Sequence, residues 1–394
     1  MSQLSLFMVL GLLVALIGLT ALRIGLPELF GVDEVSADYM IFHQVGELAN
    51  LGRIAEAYDA PAFMGYRASR TNSAVFMTWT YPPHFNLPLQ GFALFGVGWG
   101  YLLFTGSSFA LFVWSMMRLS QDATTWVLPL ILPALVINLL TGQNGFLTAG
   151  LMALFARLSL TEQRGKAGFV LGLLTYKPHL GLGLGLAALL RGGWRMVAMA
   201  TLTLLVLLLL VLLLLATFLY GSGIWSAFRN SVSTSGTILE AGEYKLARMI
   251  TPFALFSSVG LAPSLAILLH GGCALFGLLT LAWAALKGWQ LRHVIVLAIL
   301  SGTTLSPYAY DYDLCVLAPA LALAYQAIKT ELTVTLRAVL AASLLLATGY
   351  GLTTALFAGA LGDAGFGLPA LAGLGLILTI GLTFHAIRRF EANA

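Results

Sequence analysis

The sequence predicts an all-α, polytopic membrane protein, and three observations carry that prediction. Of the 394 residues, 59% are hydrophobic and only 9% charged, where soluble domains carry roughly 25% charged residues. The mean hydropathy is +0.91. The apolar runs are long enough for helices that cross a bilayer, about 20 residues each, and lack the short alternating segments of a barrel. About 10–13 transmembrane or half-inserted helices are expected, in one domain spanning 1–394.

Apolar segments fall at about 4–22, 85–117, 124–141, 144–158, 167–190, 194–219, 249–286, 293–306, 314–328, 338–358 and 367–387. The first lacks a basic leader and a small-residue cleavage site, so it reads as a retained span. The stretch 23–84 that follows is polar, acidic and aromatic, a large wet loop in an otherwise apolar chain. After Ser36, an N-cap, the loop places Ile41, Val45, Leu48, Leu51, Ala55 and Tyr58 at spacings of three and four. That is an amphipathic helix at the membrane surface. Segment 85–117 contains Gly96 to Gly100, and segment 249–286 contains Gly260-Leu261-Ala262-Pro263. Each reads as a short helix, a bend and a full span. Segments 124–141 and 144–158 are spans joined by Gly142-Gln143-Asn144-Gly145, and 194–219 is a leucine-rich span. Segment 167–190 breaks at Lys177-Pro178, because proline removes a helix hydrogen bond.

Orientation follows from the basic residues of the short loops. With the N-terminus in the cytoplasm and 167–190 entering and returning as two half-helices, twelve basic and four acidic residues lie inside. Eight basic and twelve acidic residues lie outside, as the positive-inside rule requires. The outer face then holds the 23–84 loop, Gly142 to Asn144, Lys177 to His179, the 220–248 loop, and Ser306 to Asp313. The net charge of +4 belongs to cytoplasmic loops, and no basic run marks a nucleic-acid surface. Cys273 and Cys315 lie in or beside apolar runs, which argues against a disulfide framework or a thiolate metal site. Phosphate-binding Gly-rich loops, His-Glu-x-x-His and Gly-x-Ser-x-Gly are all absent, so nucleotide hydrolysis, zinc proteolysis and serine esterase chemistry have no support.

The residues that could carry chemistry are the polar exceptions. Asp38 opens the amphipathic helix, either as a carboxylate that complements the dipole or as a general base. The dipole is expected to lower its pKa. Trp79 to Phe85 is either an aromatic interface anchor or the rigid lip of a site, with Tyr81 and His84 facing a sugar or phosphate. Lys177 sits at a helix break within an apolar segment, where it either snorkels or meets an anion, with His179 as helper. Gln143 either completes a tight turn or orients a hydroxyl. Asp311 and Asp313, read as sharing one face of an extended loop, suit substrate hydroxyls better than a metal. Arg229, Lys245 and Arg248 suit either a donor phosphate or anionic headgroups.

These features occur in an order that resembles a known family. Asp38-Tyr39 follows the first span, then Ala57-Tyr58-Asp59, Tyr81-Pro82-Pro83, Thr141-Gly142-Gln143-Asn144, Gly172 through Lys177-Pro178-His179, and Ser306-Pro307 with Asp311. The pattern is similar to glycosyltransferase family 87, bacterial polyprenyl-phosphate-mannose-dependent α-mannosyltransferases of the GT-C superfold. Asn144 stands where an apolar residue is expected. The resemblance implies a polyprenyl-phosphate sugar donor, a glycan or glycolipid acceptor, and a site on the outer face of a bacterial inner membrane. It also implies inversion at the anomeric carbon, with Asp38 as base, Tyr39, Tyr58 and His84 around the sugar, and Lys177 with His179 at the phosphate. Membrane lipids are the surroundings, and no cofactor, metal or nucleic acid is called for. Two other readings stay open: a transporter or flippase of a lipid-linked sugar, which would use the broken helices, and an envelope scaffold.

Overall fold

The chain is a helical bundle in this computed structural model, which describes residues 3–30, 38–70, 79–206, 214–240, 246–357 and 368–394. Ser36 and Lys245 lie outside the described residues. Helix α1 (Gln3–Gly25) crosses the bundle, and α2 (Asp38–Asn50) and α3 (Ala60–Arg70) lie at its end. The short α4 (Asn86–Phe92) then turns into α5 (Val97–Leu119) at Gly96. The glycine-rich start of α5 lets it touch the end of α1 backbone to backbone, since a Cβ on Gly98 would lie 2.6 Å from the Ala21 carbonyl oxygen.

The return span is bent. α6 (Gln121–Leu130) and α7 (Leu132–Thr141) meet at 73°. This corrects the reading of 124–141 as one uninterrupted span. Pro133 lacks an N–H and its ring displaces the carbonyl of the preceding turn, where Pro129 sits, so Ile131 leaves helical geometry.

α8 (Gly145–Leu160) is buried along most of its length and descends to Arg157. α9 (Arg164–Leu173) and α10 (Pro178–Ala187) flank the break at Lys177, whose φ of −131° and ψ of 70° are not helical. A Cβ on Gly168 would meet the Met196 oxygen at 2.3 Å, and one on Gly172 would meet Thr203 Cβ at 2.5 Å. Residue numbers rise together, so α9 runs parallel to α11 (Trp194–Val206) and α10 carries the chain back between them.

α12 (Thr217–Tyr220) and α13 (Ile224–Glu240) return to the end that holds Asp38. α14 (Pro252–Ser258) breaks at Gly260, and α15 (Pro263–Leu286) crosses. α16 (Leu291–Gly302) and α17 (Leu317–Glu331) are buried on nearly every side and form the centre. α18 (Val334–Leu356) and α19 (Leu371–Asn393) close the bundle. Among the described residues five helices, α1, α5, α15, α18 and α19, are long and apolar enough to cross a membrane, and the bent pair makes six.

The end opposite Asp38 is fastened by polar contacts. Arg191 Nη1 donates to the carbonyls of Ala285 (3.2 Å) and Trp289 (2.8 Å) around the end of α15, where a cation suits the dipole. Glu391 accepts the Gln290 N–H at 2.9 Å and pairs with His293.

Close packing makes a first prediction. A Cβ on Gly183 of α10 would fall 2.1 Å from the Ala298 carbonyl oxygen on α16. Gly183→Ala is expected to force these helices apart and destabilise the protein by about 1–3 kcal/mol, measured as a lowered unfolding midpoint in detergent.

Candidate active site

The site begins with the buried face of α2. Ile41, Val45 and Leu48 are buried at the predicted spacing, with Tyr39 and Phe42 beside them. α2 ends at Asn50, so the expected series does not continue: Leu51 and Ala55 are exposed, and Tyr58 belongs to a separate 3-10 turn. Asp38 at the helix start is partly accessible. Phe42 is ringed edge-on by Trp79, Tyr81, Phe85 and Phe104, at centroid distances of 5.8, 5.7, 5.8 and 5.6 Å. This cage fixes the 79–86 segment. Trp79 Nε1 donates to Asn86 Oδ1 (3.0 Å), Asn86 Nδ2 to Tyr58 Oη (3.0 Å), and Tyr58 Oη to the Tyr81 carbonyl (2.9 Å). Trp79 is therefore a buried brace, not an interface anchor. Tyr58, 4% exposed, supports the lip from behind and does not line a sugar pocket.

The aromatic stack runs on towards the broken span. Tyr81 lies on Phe85 at 4.7 Å, and Phe85 on Tyr176 at 5.4 Å. Tyr176 shares a 2.7 Å hydrogen bond with Thr148 and immediately precedes Lys177. Residues far apart in the chain thus set the position of the lysine.

Gly142 turns the chain between α7 and α8 with φ of 68°, and a Cβ there would strike Tyr39 Cβ at 2.6 Å. Only glycine satisfies both the angle and the space. The turn presents Gln143, whose Nε2 donates to Asp38 Oδ2 at 3.1 Å. Tyr81 Oη lies 3.5 Å from Gln143 Oε1 and accepts from Asn144 Nδ2 at 2.8 Å. Gln143 orients the carboxylate directly, and Asn144, the residue out of pattern, holds Tyr81.

Asp38 is only partly exposed, and protein surrounds its carboxylate. Burial holds its pKa above the ordinary carboxylate value; Arg248 and the Gln143 hydrogen bond pull it back, Asp311 pushes it up, and Arg67 pulls it down. The expected lowering by the helix dipole is thus outweighed by desolvation.

Asp311 and Asp313 stand in the first turn of a 3-10 helix, Asp311–Val316, and not in an extended loop. At three residues per turn, positions i and i+2 diverge by about 120°, so each finds a different cation. Arg248 Nε donates to Asp311 Oδ2 (3.1 Å) and Nη2 to Oδ1 (2.9 Å), a two-point fork that leaves Nη1 outside it. Lys177 Nζ donates to Asp313 Oδ1 at 2.5 Å. The expected hydroxyl ligands are counter-ions. Stacked Tyr310 and Tyr312 offer their rings to the same cations, Arg248 at 6.0 Å and Lys177 at 5.2 Å. An antiparallel bridge of Met249 with Tyr310 brings Arg248 to this turn. Behind Asp311, a Cβ on Gly351 would lie 2.1 Å from Oδ2.

Tyr81 joins the two halves. The charges of Lys177, Asp313 and Asp38 all act on its hydroxyl. Asp38 and Lys177 therefore both lie near the Tyr81 hydroxyl at one end of the bundle.

The remaining expected residues are placed differently. Tyr39 is fully buried between Tyr101 and Phe104 (5.5 and 5.9 Å), a platform under the Gly142 turn and not a pocket wall. Both ring nitrogens of His84 are enclosed without a hydrogen-bond partner among the described residues. Burial lowers its pKa to about 4, so the ring is neutral at pH 7 and supplies no charge to a phosphate. His179 stands in the first turn of α10, within electrostatic reach of Asp313 and Lys177. Arg229 is exposed on α13, off the stripe of Ile224, Phe228, Ser231 and Ser235. One residue was missed: Arg67, 5% exposed, whose charge acts on Asp38. Its signal lay in the spacing of Phe63, Tyr66 and Arg67 on the packed face of α3.

Among the described residues no three His, Cys, Asp or Glu side chains converge as a metal site. A hollow of about 720 Å³ is lined by Glu162 to Lys166, Trp194 and Arg195, at the opposite end from Asp38. None of its lining residues belongs to the cluster around Asp38, Tyr81 and Lys177.

A sequence model of glycosyltransferase family 87 matches residues 79–309, more than half of the chain. That stretch holds Tyr81, Gln143, Lys177 and Arg248. No curated protein and no solved structure matches the chain.

Proposed function

The chain belongs to glycosyltransferase family 87, membrane enzymes of GT-C type, and from that premise we propose that it moves a hexose, mannose by family resemblance, from a polyprenyl phosphate to a glycan or glycolipid. The observation that carries this reading is the buried Asp38 carboxylate, held by Gln143 and acted on most strongly, among the cations, by Arg248. The proposed site faces the outer side of a bacterial inner membrane.

In the proposed reaction the acceptor hydroxyl attacks the anomeric carbon opposite the phosphate. Asp38 Oδ2 is held by Gln143, so Oδ1 takes the hydroxyl proton. The bond from the anomeric carbon to the phosphate oxygen breaks, and polyprenyl phosphate leaves with its electron pair. The anomeric carbon inverts. Arg248 Nη1, outside the fork to Asp311, is directed at the developing phosphate charge, with Lys177 and Arg67 adding to the positive field. Two substrates fit this division: a lipid phosphate at the cation side and a hydroxyl at the carboxylate side.

Purified protein in detergent, given a labelled polyprenyl-phosphate hexose and a glycolipid acceptor, is expected to release polyprenyl phosphate and yield an inverted product. Detergent abolishes vectorial transport, so retention of label on the donor would favour the transporter reading, which the broken helices at Lys177 and Gly260 support.

The raised pKa of Asp38 makes a second prediction. The general base must be ionised, so kcat/KM should fall on the acid side with an apparent pKa above the ordinary carboxylate value. Arg248→Gln should move that limb to higher pH, because loss of a cation disfavours the carboxylate. For stability the sign is opposite. A raised folded pKa means that this group's contribution is present at low pH and is lost as pH rises through it. A pH–rate profile with its acid limb unmoved by Arg248→Gln would sink this coupling.

A further inference from the structure

The geometry points to a second ligand site at the end opposite Asp38, a hollow between α9 and α11 that binds the phosphate headgroup of an anionic membrane lipid. The hollow measures about 720 Å³ and is lined by Glu162, Gln163, Arg164, Gly165, Lys166, Trp194 and Arg195. Three cations face it against one carboxylate. Basic residues at one end of a membrane protein follow from insertion alone. Here, however, they converge on one cavity, and two further features share it.

The first is the pair of helix starts. α9 begins at Arg164 and α11 at Trp194, and the two run parallel, so both N-termini open on the same hollow. The first N–H groups of a helix lack acceptors within it and carry the positive end of the dipole. Gly193, with φ of 75°, leads into α11, and a Cβ there would lie 2.9 Å from Arg164 Nη1. The missing side chain lets the guanidinium lie over the start of α11. Arg164 also bonds Glu162 through Nε at 2.9 Å, and Lys166 bonds Gln163 Oε1 at 3.1 Å. Both partners are exposed surface groups that an anion can displace.

The second feature selects a lipid over a free anion. Trp194 is 76% exposed at the rim, and Arg195 lies 5.5 Å from its ring. Farther along the same two helices, Phe169 on α9 and Leu202 on α11 expose about half of their surface. Exposed apolar side chains thus follow the basic cavity along both helices. A ligand with a charged head and acyl chains satisfies both parts, whereas inorganic phosphate satisfies only one. Aromatic and basic residues at this level are what a headgroup boundary requires.

Each basic residue near an anionic lipid contributes about a fivefold gain in binding. The test uses the full chain in neutral detergent, titrated with phosphatidylglycerol carrying a fluorophore on one acyl chain. The matching phosphatidylcholine is the control. Wild type is expected to prefer phosphatidylglycerol by at least about tenfold. The variant R164Q/K166Q/R195Q should lose that preference while its transfer activity and unfolding midpoint are retained. Glu162→Gln, which frees Arg164, should tighten binding, a gain that misfolding does not produce. Inorganic phosphate in large excess should leave the lipid bound. Equal binding of both lipids by wild type, an unchanged preference in the triple variant, or displacement by phosphate would each overturn the proposal.

Discussion

Asp38→Asn is expected to lower the rate of sugar transfer by roughly 10²–10⁴-fold, the range set by loss of a positioned general base. Asparagine keeps the shape and the hydrogen-bonding length of the side chain, so Gln143 can still meet its oxygen and the 79–86 lip should stay in place. Donor affinity should change little, because the proposed phosphate contacts are cations and not this carboxylate. The burial that raises the pKa of Asp38 also implies that the neutral amide costs the fold nothing. The unfolding midpoint of the variant should therefore equal or exceed that of wild type. Transfer at the wild-type rate would remove Asp38 from the chemistry, and a collapsed midpoint would assign it a structural role.

Lys177→Met is expected to destabilise the protein by about 3–5 kcal/mol, since it strands the Asp313 carboxylate in the interior. Side-chain exposures of 7% for Lys177 and 5% for Asp313 leave little water to compensate. The double variant Lys177→Met with Asp313→Leu removes both charges, and apolar replacement of a buried pair is often neutral. Most of the lost stability should return. Transfer should not return, because the phosphate would still lack its lysine. Unfolding midpoints in detergent give the first comparison and single-turnover transfer the second. Recovery of both together would make the pair scaffolding.

Much of the fold was legible because its signals are local. The spacing of Ile41, Val45 and Leu48 sets the buried face of α2, and Pro178, Gly260 and Pro263 break helices wherever they fall. The bend at Ile131 was missed because the prolines at 129 and 133 sit inside an apolar run, where hydropathy alone is continuous. The candidate residues could be picked out singly from the sequence, and their pairings could not. Gln143 meets Asp38 across 105 residues and Lys177 meets Asp313 across 136, distances over which no periodicity carries information. Asp311 and Asp313 were misread because a 3-10 turn and an extended loop look alike in sequence, yet send neighbouring acids in different directions. Tyr39 and Tyr58 carry polar atoms and were read as pocket residues; their aromatic bodies are spent on packing.

The close approach of α18 to Asp311 has a directional consequence. With the Gly351 backbone pressed against Oδ2, that carboxylate has nowhere to withdraw when a competing anion arrives. Accommodation must come from the guanidinium, which is carried on a one-turn segment, Leu246–Arg248, and not on a long helix. The acid acts as a fixed stop and the arginine as the yielding partner. In the proposed reaction the phosphate meets Nη1 while the fork to Asp311 holds, so any movement needed to admit it falls to the arginine and not to the acid.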